Sequence, residues 1–388
     1  MSDIFFTENG WTEVISGGIT FDNLKILAQA ICNYFRREQN YIDNFPPRFA
    51  VGFDNRFLGE KYAKEISRII VNNGMDVYLS DRPTSTPCLF SSVKILSLTA
   101  GIMVTGSDLP YEYSGIKICN YQGSILREKS TKSIEKEVDI LEKEGIEDFI
   151  VTPGQIIEFN PRNYYFHQLY SIIDIPIIAK TGIDITINYI NSACSNYLRD
   201  IFLKYNCMIR EINNKPLIDF GNLIPNLNEK NISDLQQVVV SPRCSLQVGF
   251  LIDGDGSKLK VVDASGIVLD SEIIFCIILK HLINLEDSKG GIVIPENGSN
   301  LIRLYCENNQ VEIHYINSKD GRQIAELMRT HNCILGSSLN DDFYFNINNH
   351  ILEKDAILTA LILLESMSIL NQNLNSIFYD IKASLNIL

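Results

Sequence analysis

The chain has 388 residues, 45% of them hydrophobic and 21% charged, the composition of a folded globular protein too long for a single hydrophobic core. Its formal net charge of -13 sets up a diffuse negative field that opposes contact with phosphate backbones and anionic lipid, so neither nucleic acid nor a membrane is an expected partner. The nine scattered cysteines include no C-x-x-C pair, and the opening MSDIFFTENGW lacks the basic and apolar regions of a signal peptide, so disulfide and zinc scaffolds are excluded and a cytoplasmic setting is expected.

Leu24, Leu27, Ala28, Ile31 and Phe35 recur at helical spacing behind Thr20, which suits an N-cap, and a β-like run from Phe49 to Phe53 follows Pro46 and Pro47. Tyr62, Ile66, Ile69, Ile70 and Asn73 trace a second helix that ends before Gly74. Further strands are predicted at 77–79 (VYL) and 101–105 (GIMVT), so strands alternate with helices and the fold class is α/β.

The alternation restarts at 185–190 (ITINYI), with a helical run to Tyr205 and then MIREI and GFLI, and again at GIVIP, with a helix from about Ser299, VEIHYI and a helix to Arg329. Three α/β/α domains are expected, at 1–155, 156–261 and 262–388, with boundaries in polar or proline-bearing stretches. The late run AILTALILLESMSIL is interrupted by Thr359, Glu365, Ser366 and Ser368 and falls short of the roughly 20 apolar residues of a spanning helix, so it reads as a core helix. Cys276, inside IIFCIILKHLI, reads as a small buried hydrophobe.

In 101–110 a buried strand runs into TGSDLP, a turn-forming sequence that would present Ser107 at the carboxyl edge of a sheet, where ligands of open α/β domains bind. A serine in a turn is by itself usually a local hydrogen-bonding residue. Its ordered companions single it out: GFDNRFL at 52–58, LSDRPTSTP at 79–87, YSGIK at 113–117, Asp219-Phe220-Gly221-Asn222, and Asp253-Gly254-Asp255-Gly256-Ser257-Lys258.

This series resembles the alpha-D-phosphohexomutases, the phosphoglucomutase and phosphomannomutase family, which carries T-A-S-H-N-P, Y-N-G-x-K, G-Y-D-T-R-F-L and D-G-D-G-D-R in the same order. The likeness runs from Asn9-Gly10-Trp11 to the helix after Lys354-Asp355. The resemblance implies three consecutive α/β/α domains around a cleft, with Ser107 carrying a phosphate that is exchanged with a hexose phosphate. It also implies Lys117 as a cation near the reacting oxygens, Asp253, Asp255 and Ser107 as ligands of Mg2+, and Lys258, Gly336 and Ser337 as substrate-binding positions. A calcium-loop reading of DGDGSK fails, because Lys258 stands at the sixth position where glycine is needed and Ala264 at the twelfth where a glutamate belongs. A solvated hairpin turn remains the rival reading of Asp253 and Asp255.

Several positions depart from the family pattern. Ser257 replaces a third metal carboxylate, which is expected to leave Mg2+ weakly bound, and Lys258 replaces an arginine, losing its planar fork. Asp108 and Leu109 replace histidine and asparagine, placing a carboxylate beside the phosphate position. Like charges about 4 Å apart repel by roughly 1 to 4 kcal/mol. Thr12 stands for an arginine, and the sugar loop G-E-x-S-G corresponds to Gly336-Ser337-Ser338-Leu339-Asn340, with Leu339 in place of the serine. No run resembles the family's R-x-S-G-T-E-P loop, so a C-terminal phosphate-binding domain is expected to be absent. None of the histidines (167, 281, 314, 331, 350) falls at a motif position. Together these losses lead to the expectation of a binding, scaffolding or regulatory protein without full mutase activity, with hexose phosphate and protein as partners. The alternative is a weak or altered Mg2+-dependent intramolecular phosphotransferase using Ser107, with a partner supplying the missing domain.

Overall fold

The computed structural model describes residues 4–39, 46–146, 152–241, 243–285, 290–317 and 320–387. The chain divides into two compact units, one of Met1–Tyr165 with Leu217–Asn222, the other of Phe166–Pro216 with Leu223–Leu388.

In the first unit the chain forms β1 (Trp11–Val14), α1 (Phe21–Gln39), β2 (Arg48–Phe53), α2 (Gly59–Asn72), β3 (Asp76–Ser80), α3 (Thr86–Ile95), β4 (Ala100–Val104), β5 (Tyr113–Asn120), α4 (Glu128–Glu144) and β6 (Ile156–Phe159). These strands make one sheet of order β1-β5-β4-β2-β3-β6. Strand β2 runs parallel to β3 and β4, while β5 is antiparallel to β4 and to β1. The central strands are buried on both faces, which is why they read as continuous apolar runs rather than alternating ones. Helix α1 begins as predicted, because the Thr20 hydroxyl accepts the Asn23 N–H at 3.1 Å. Helix α3 starts on Ser85, whose hydroxyl accepts the Cys88 N–H at 3.4 Å, with proline in the first turn.

In the second unit, α5 (Pro161–Ile172, from Phe166 onward) and α6 (Ile175–Thr181) lead to β7 (Asp184–Asn188), α7 (Tyr197–Ile201), β8 (Met208–Ile212), α8 (Glu229–Val239), β9 (Gln247–Ile252), β10 (Leu259–Val262) and β11 (Val268–Leu269). There follow α9 (Ser271–Ile283), β12 (Ile292–Pro295), α10 (Asn300–Asn308), β13 (Ile313–Ile316), α11 (Gly321–Thr330), β14 (Leu335–Gly336), β15 (Tyr344–Phe345), α12 (Ala356–Leu370) and α13 (Leu374–Ser384). Two sheets result, β11-β10-β9-β7-β8 and β13-β12-β14-β15. The helical run expected up to Tyr205 is shorter than its sequence suggests. Asn191 and Asn196 adopt left-handed φ values of 52° and 69°, which hold off the helix until Tyr197, and α7 closes at Ile201.

Helix α12 is the expected core helix, buried from Ala356 through Ser368. Its polar interruptions are accommodated. Glu365 accepts the Asp174 N–H at 2.7 Å and meets His281 Nε2 at 2.9 Å, and Asp355 caps Leu358 N at 2.9 Å. Among the described residues no single helix is long and apolar enough to cross a membrane; a bent pair, α12 with α13, passes by length and composition at a 74° break. Burial pushes the Cys32 thiol up to about 12 and Cys333 up to about 11, which disfavours the reactive thiolate.

Gly115 of β5 lies opposite Thr12 of β1 and is packed tightly against backbone. A Cβ there would sit 2.2 Å from the Trp11 carbonyl oxygen and 3.0 Å from that of Thr105. Because those obstacles are backbone, Gly115→Ala is expected to lower the unfolding free energy by about 1–3 kcal/mol, read as a reduced urea midpoint at unchanged slope.

Candidate active site

The turn between β4 and β5 is pinned at its first residue. Thr105 N–H donates to the Gly115 carbonyl at 3.0 Å, Thr105 Oγ1 donates to Asp54 Oδ2 at 2.7 Å, and Ser107 N–H donates back to Thr105 Oγ1 at 2.9 Å. Ser107 is held at φ 54°, a left-handed conformation that costs a non-glycine residue on the order of 1–3 kcal/mol and persists only where the surroundings impose it. Lys117 stands on β5 across from Met103 and donates from Nζ to Ser107 Oγ at 3.2 Å, both side chains lying in buried residues. Gly10, at φ 100°, lets the chain pass over this lysine, since a Cβ would lie 2.5 Å from the Ile116 carbonyl oxygen and 3.0 Å from Lys117 Cγ. The structure therefore brings Ser107 and Lys117 together. Thr12 lies opposite Gly115 on β1, and Asp108 and Leu109 are half-buried in the turn.

Arg56 and Asp54, to which sequence reasoning assigned no role, form the base of this turn. The guanidinium has five N–H donors, and all are used. Nε donates to Asp54 Oδ2 at 3.0 Å, Nη2 to the carbonyls of Ser107 at 2.7 Å and Leu109 at 2.8 Å, and Nη1 to those of Pro110 at 2.6 Å and Tyr113 at 3.0 Å. Burial pushes the Asp54 carboxyl above its ordinary range, opposed by Arg56, Thr105 and the Arg56 backbone N–H. The Phe220 ring packs 4.9 Å from the Arg56 guanidinium carbon, and the neighbouring Asn55 amide donates to the Leu217 carbonyl. The available sequence signal was the D-x-R spacing directly after a buried strand, which ties a carboxylate and a guanidinium to one sheet edge.

In the second unit, residues 253–258 join the antiparallel strands β9 and β10. This is a hairpin turn, but not a solvated one: Asp253 and Asp255 are fully buried. Asp253 Oδ1 accepts the backbone N–H groups of Ser257 at 2.8 Å and Lys258 at 3.1 Å. Ser257 Oγ lies 2.9 Å from Asp253 Oδ2 and 2.8 Å from Asp255 Oδ1, although a hydroxyl has one proton to donate. The set offers hard oxygen donors of the kind Mg2+ prefers, with two negative charges rather than three. Among the described residues no three His, Cys, Asp or Glu side chains are grouped to hold a metal.

Strand β14 delivers Gly336 and then Ser337, with Gly336 pressed on α11, where a Cβ would meet Met328 Sδ at 2.6 Å. The side chains that follow turn inward. Ser337 Oγ reaches Asp342 Oδ1 at 3.3 Å and accepts the Leu339 N–H at 2.8 Å, while Ser338 reaches both Asp342 oxygens at 2.9 and 2.8 Å. Leu339, at φ 58°, packs toward Gly298. Lys258 bridges to Asp342 through the backbone, and Leu259 N–H donates to the Asp341 carbonyl at 2.9 Å. The 253–258 and 336–342 loops are thus joined, although sequence reasoning treated them separately.

The family model for phosphoglucomutase/phosphomannomutase, alpha/beta/alpha domain I, matches residues 3–144, and that for alpha/beta/alpha domain II matches residues 163–266. A phosphoglucosamine mutase of Methanococcus maripaludis is 26% identical over 341 residues, covering 87% of this chain and 73% of the relative. A phosphoglucosamine mutase of Finegoldia magna is 25% identical over 367 residues, covering 93% of this chain and 77% of the relative. Among solved structures, a Thermus thermophilus protein assigned as a phosphomannomutase superimposes with a TM-score of 0.88 at 23% identity, covering 100% of this chain and 85% of that one, which shows the shared fold.

If the 253–258 loop holds a cation, adding an anion strengthens it. Ser257→Asp is expected to bind Mg2+ about tenfold more tightly than the native protein, a gain of about 1.4 kcal/mol by titration calorimetry, whereas unchanged heats would remove the loop as a metal site.

Proposed function

We propose, on the premise that this chain belongs to the alpha-D-phosphohexomutase (phosphoglucomutase/phosphomannomutase) family, that Ser107 accepts and returns a phosphoryl group in an intramolecular phosphotransfer on a hexose phosphate. The observation that carries this reading is the buried contact of Lys117 Nζ with Ser107 Oγ at 3.2 Å. A fixed ammonium there stabilises negative charge on the serine oxygen as the transfer proceeds, at no reorganisation cost.

In the charging step the bond from Ser107 Oγ to phosphorus forms as the bond from phosphorus to a hexose bisphosphate oxygen breaks. The Oγ proton ends on the released sugar hydroxyl, so atoms and charge balance. In turnover the phosphate on Ser107 passes to the free hydroxyl of a hexose monophosphate, the Oγ–phosphorus bond breaking as the hydroxyl proton returns to Oγ, and the bisphosphate so formed then gives its original phosphate to Ser107 by the charging step. Amino-sugar phosphates are the first substrate class to test, because the phosphoglucosamine mutases of Methanococcus and Finegoldia carry that substrate in their names. Asp253, Asp255 and Ser257 would hold Mg2+, which supplies positive charge for phosphate oxygens when bound. Lys258 and the 336–340 loop are the proposed sugar-side residues, through backbone groups and Lys258, since Ser337 is committed to Asp342.

A second reading, a binding or regulatory protein without turnover, draws support from the same second-unit loops. Ser257 supplies no third negative charge, and the Ser337 and Ser338 hydroxyls are spent on Asp342. Incubation with glucose 1,6-bisphosphate and intact mass spectrometry separates the two. The enzyme reading expects one phosphate per chain, lost in Ser107→Ala, slowed about 100-fold in Lys117→Met, and accompanied by turnover of a hexosamine phosphate in Mg2+. No phosphate and no turnover would leave the binding reading.

A further inference from the structure

We infer that Arg56 is the positioning residue of the phosphate-acceptor turn: its guanidinium holds Ser107 in the left-handed conformation that aims Oγ at Lys117. The inference rests on the acceptor reading of Ser107, but its structural half is separable from it.

The geometry is specific in three respects. First, four of the five guanidinium donors are spent on backbone carbonyls of one turn, those of Ser107, Leu109, Pro110 and Tyr113, and the fifth on Asp54. A side chain serving only to fill space or pair one charge has no need to collect four carbonyls of a single loop. Second, Asp54 binds the same turn through a second route, since Thr105 Oγ1 donates to it and accepts the Ser107 N–H. Ser107 is therefore gripped at its N–H and its carbonyl, the two groups whose positions define its φ and ψ. Third, room for the cation comes from Gly106, where a Cβ would lie 2.7 Å from the guanidinium carbon and 2.8 Å from Nη1. The Phe220 ring also packs on the guanidinium, its centroid 4.9 Å from the central carbon. Lysine, with three donors from one nitrogen and no planar fork, cannot reproduce this set.

Arg56 touches no reacting atom, so its effect is expected on rate rather than on donor binding. Two variants test it: Arg56→Lys keeps the charge and removes the fork, and Gly106→Ala keeps Arg56 and displaces it. Amide hydrogen exchange read by mass spectrometry is expected to rise at least tenfold in peptides covering 105–113 in both variants, while α1 and α2 peptides stay within about twofold of native. Phosphate transfer to Ser107 from glucose 1,6-bisphosphate is expected to slow about 100-fold, the scale of a displacement of about 1 Å, with the half-saturating donor concentration within about threefold of native.

Unchanged protection of 105–113 in Gly106→Ala would overturn the inference, as would loss of protection spread evenly over the whole first unit. If Arg56→Lys does not fold, Gly106→Ala alone decides. Native protein that takes up no phosphate would sink the acceptor reading, and the exchange comparison would still decide whether Arg56 holds the turn. Native protein that is phosphorylated while both variants react equally fast would sink the positioning role alone.

Discussion

A fully buried guanidinium organises the Ser107 turn. Arg56 has no access to water, so each of its five N–H groups must find a protein acceptor or leave a costly unsatisfied donor. The acceptors it finds are one carboxylate and four carbonyls of residues 107–113, whose positions are fixed as a consequence. Replacing such a buried pair by apolar side chains can leave stability unchanged, so the value of Arg56 and Asp54 lies in the geometry they impose. That geometry includes a left-handed serine, a conformation the turn would not choose alone.

The sheet makes this arrangement possible. Asp54 follows directly on β2, Thr105 on β4, and Lys117 stands within β5, so three neighbouring strands each contribute one group. Strands are stiff, and a side chain at a strand end is placed more narrowly than one on a loop. The glycines serve the same purpose. Gly10 and Gly115 let β1 close over β5, and Gly106 opens space for the cation. The geometry of the Ser107 turn thus depends on close backbone approaches as much as on charged residues.

The second unit solves a different problem. The carboxylates of its 253–258 and 336–342 loops are also buried, but hydroxyls and backbone N–H groups serve them: Ser257 beside Asp253 and Asp255, and Ser337 and Ser338 beside Asp342. Each short hydroxyl satisfies a carboxylate locally and carries no charge. Such loops can be rigid without a bound ligand, which separates their stability from any role in binding metal or sugar.

Much of the fold was legible from local pattern. The Thr20 cap, the apolar runs at 49–53 and 101–105 and the buried helix after Asp355 appear where periodicity and composition place them, because these signals depend on near neighbours in the chain. The ordered motifs pointed to the family and to Ser107 and Lys117, ten residues apart and brought into contact by an antiparallel strand pair. The helix expected up to Tyr205 was overstated, because left-handed Asn191 and Asn196 delay its start to Tyr197 and nothing in apolar spacing records φ. The D-x-R spacing tied Asp54 and Arg56 to one sheet edge but did not show which carbonyls Arg56 would collect, and nothing local pointed to Asp342. What the sequence by itself determined was the alternation of elements and the residue types available at the motifs. What only the tertiary structure decided was which donors meet which acceptors. Four of the guanidinium's five partners here are carbonyls, which every residue possesses, and only the folded backbone selects the four that matter.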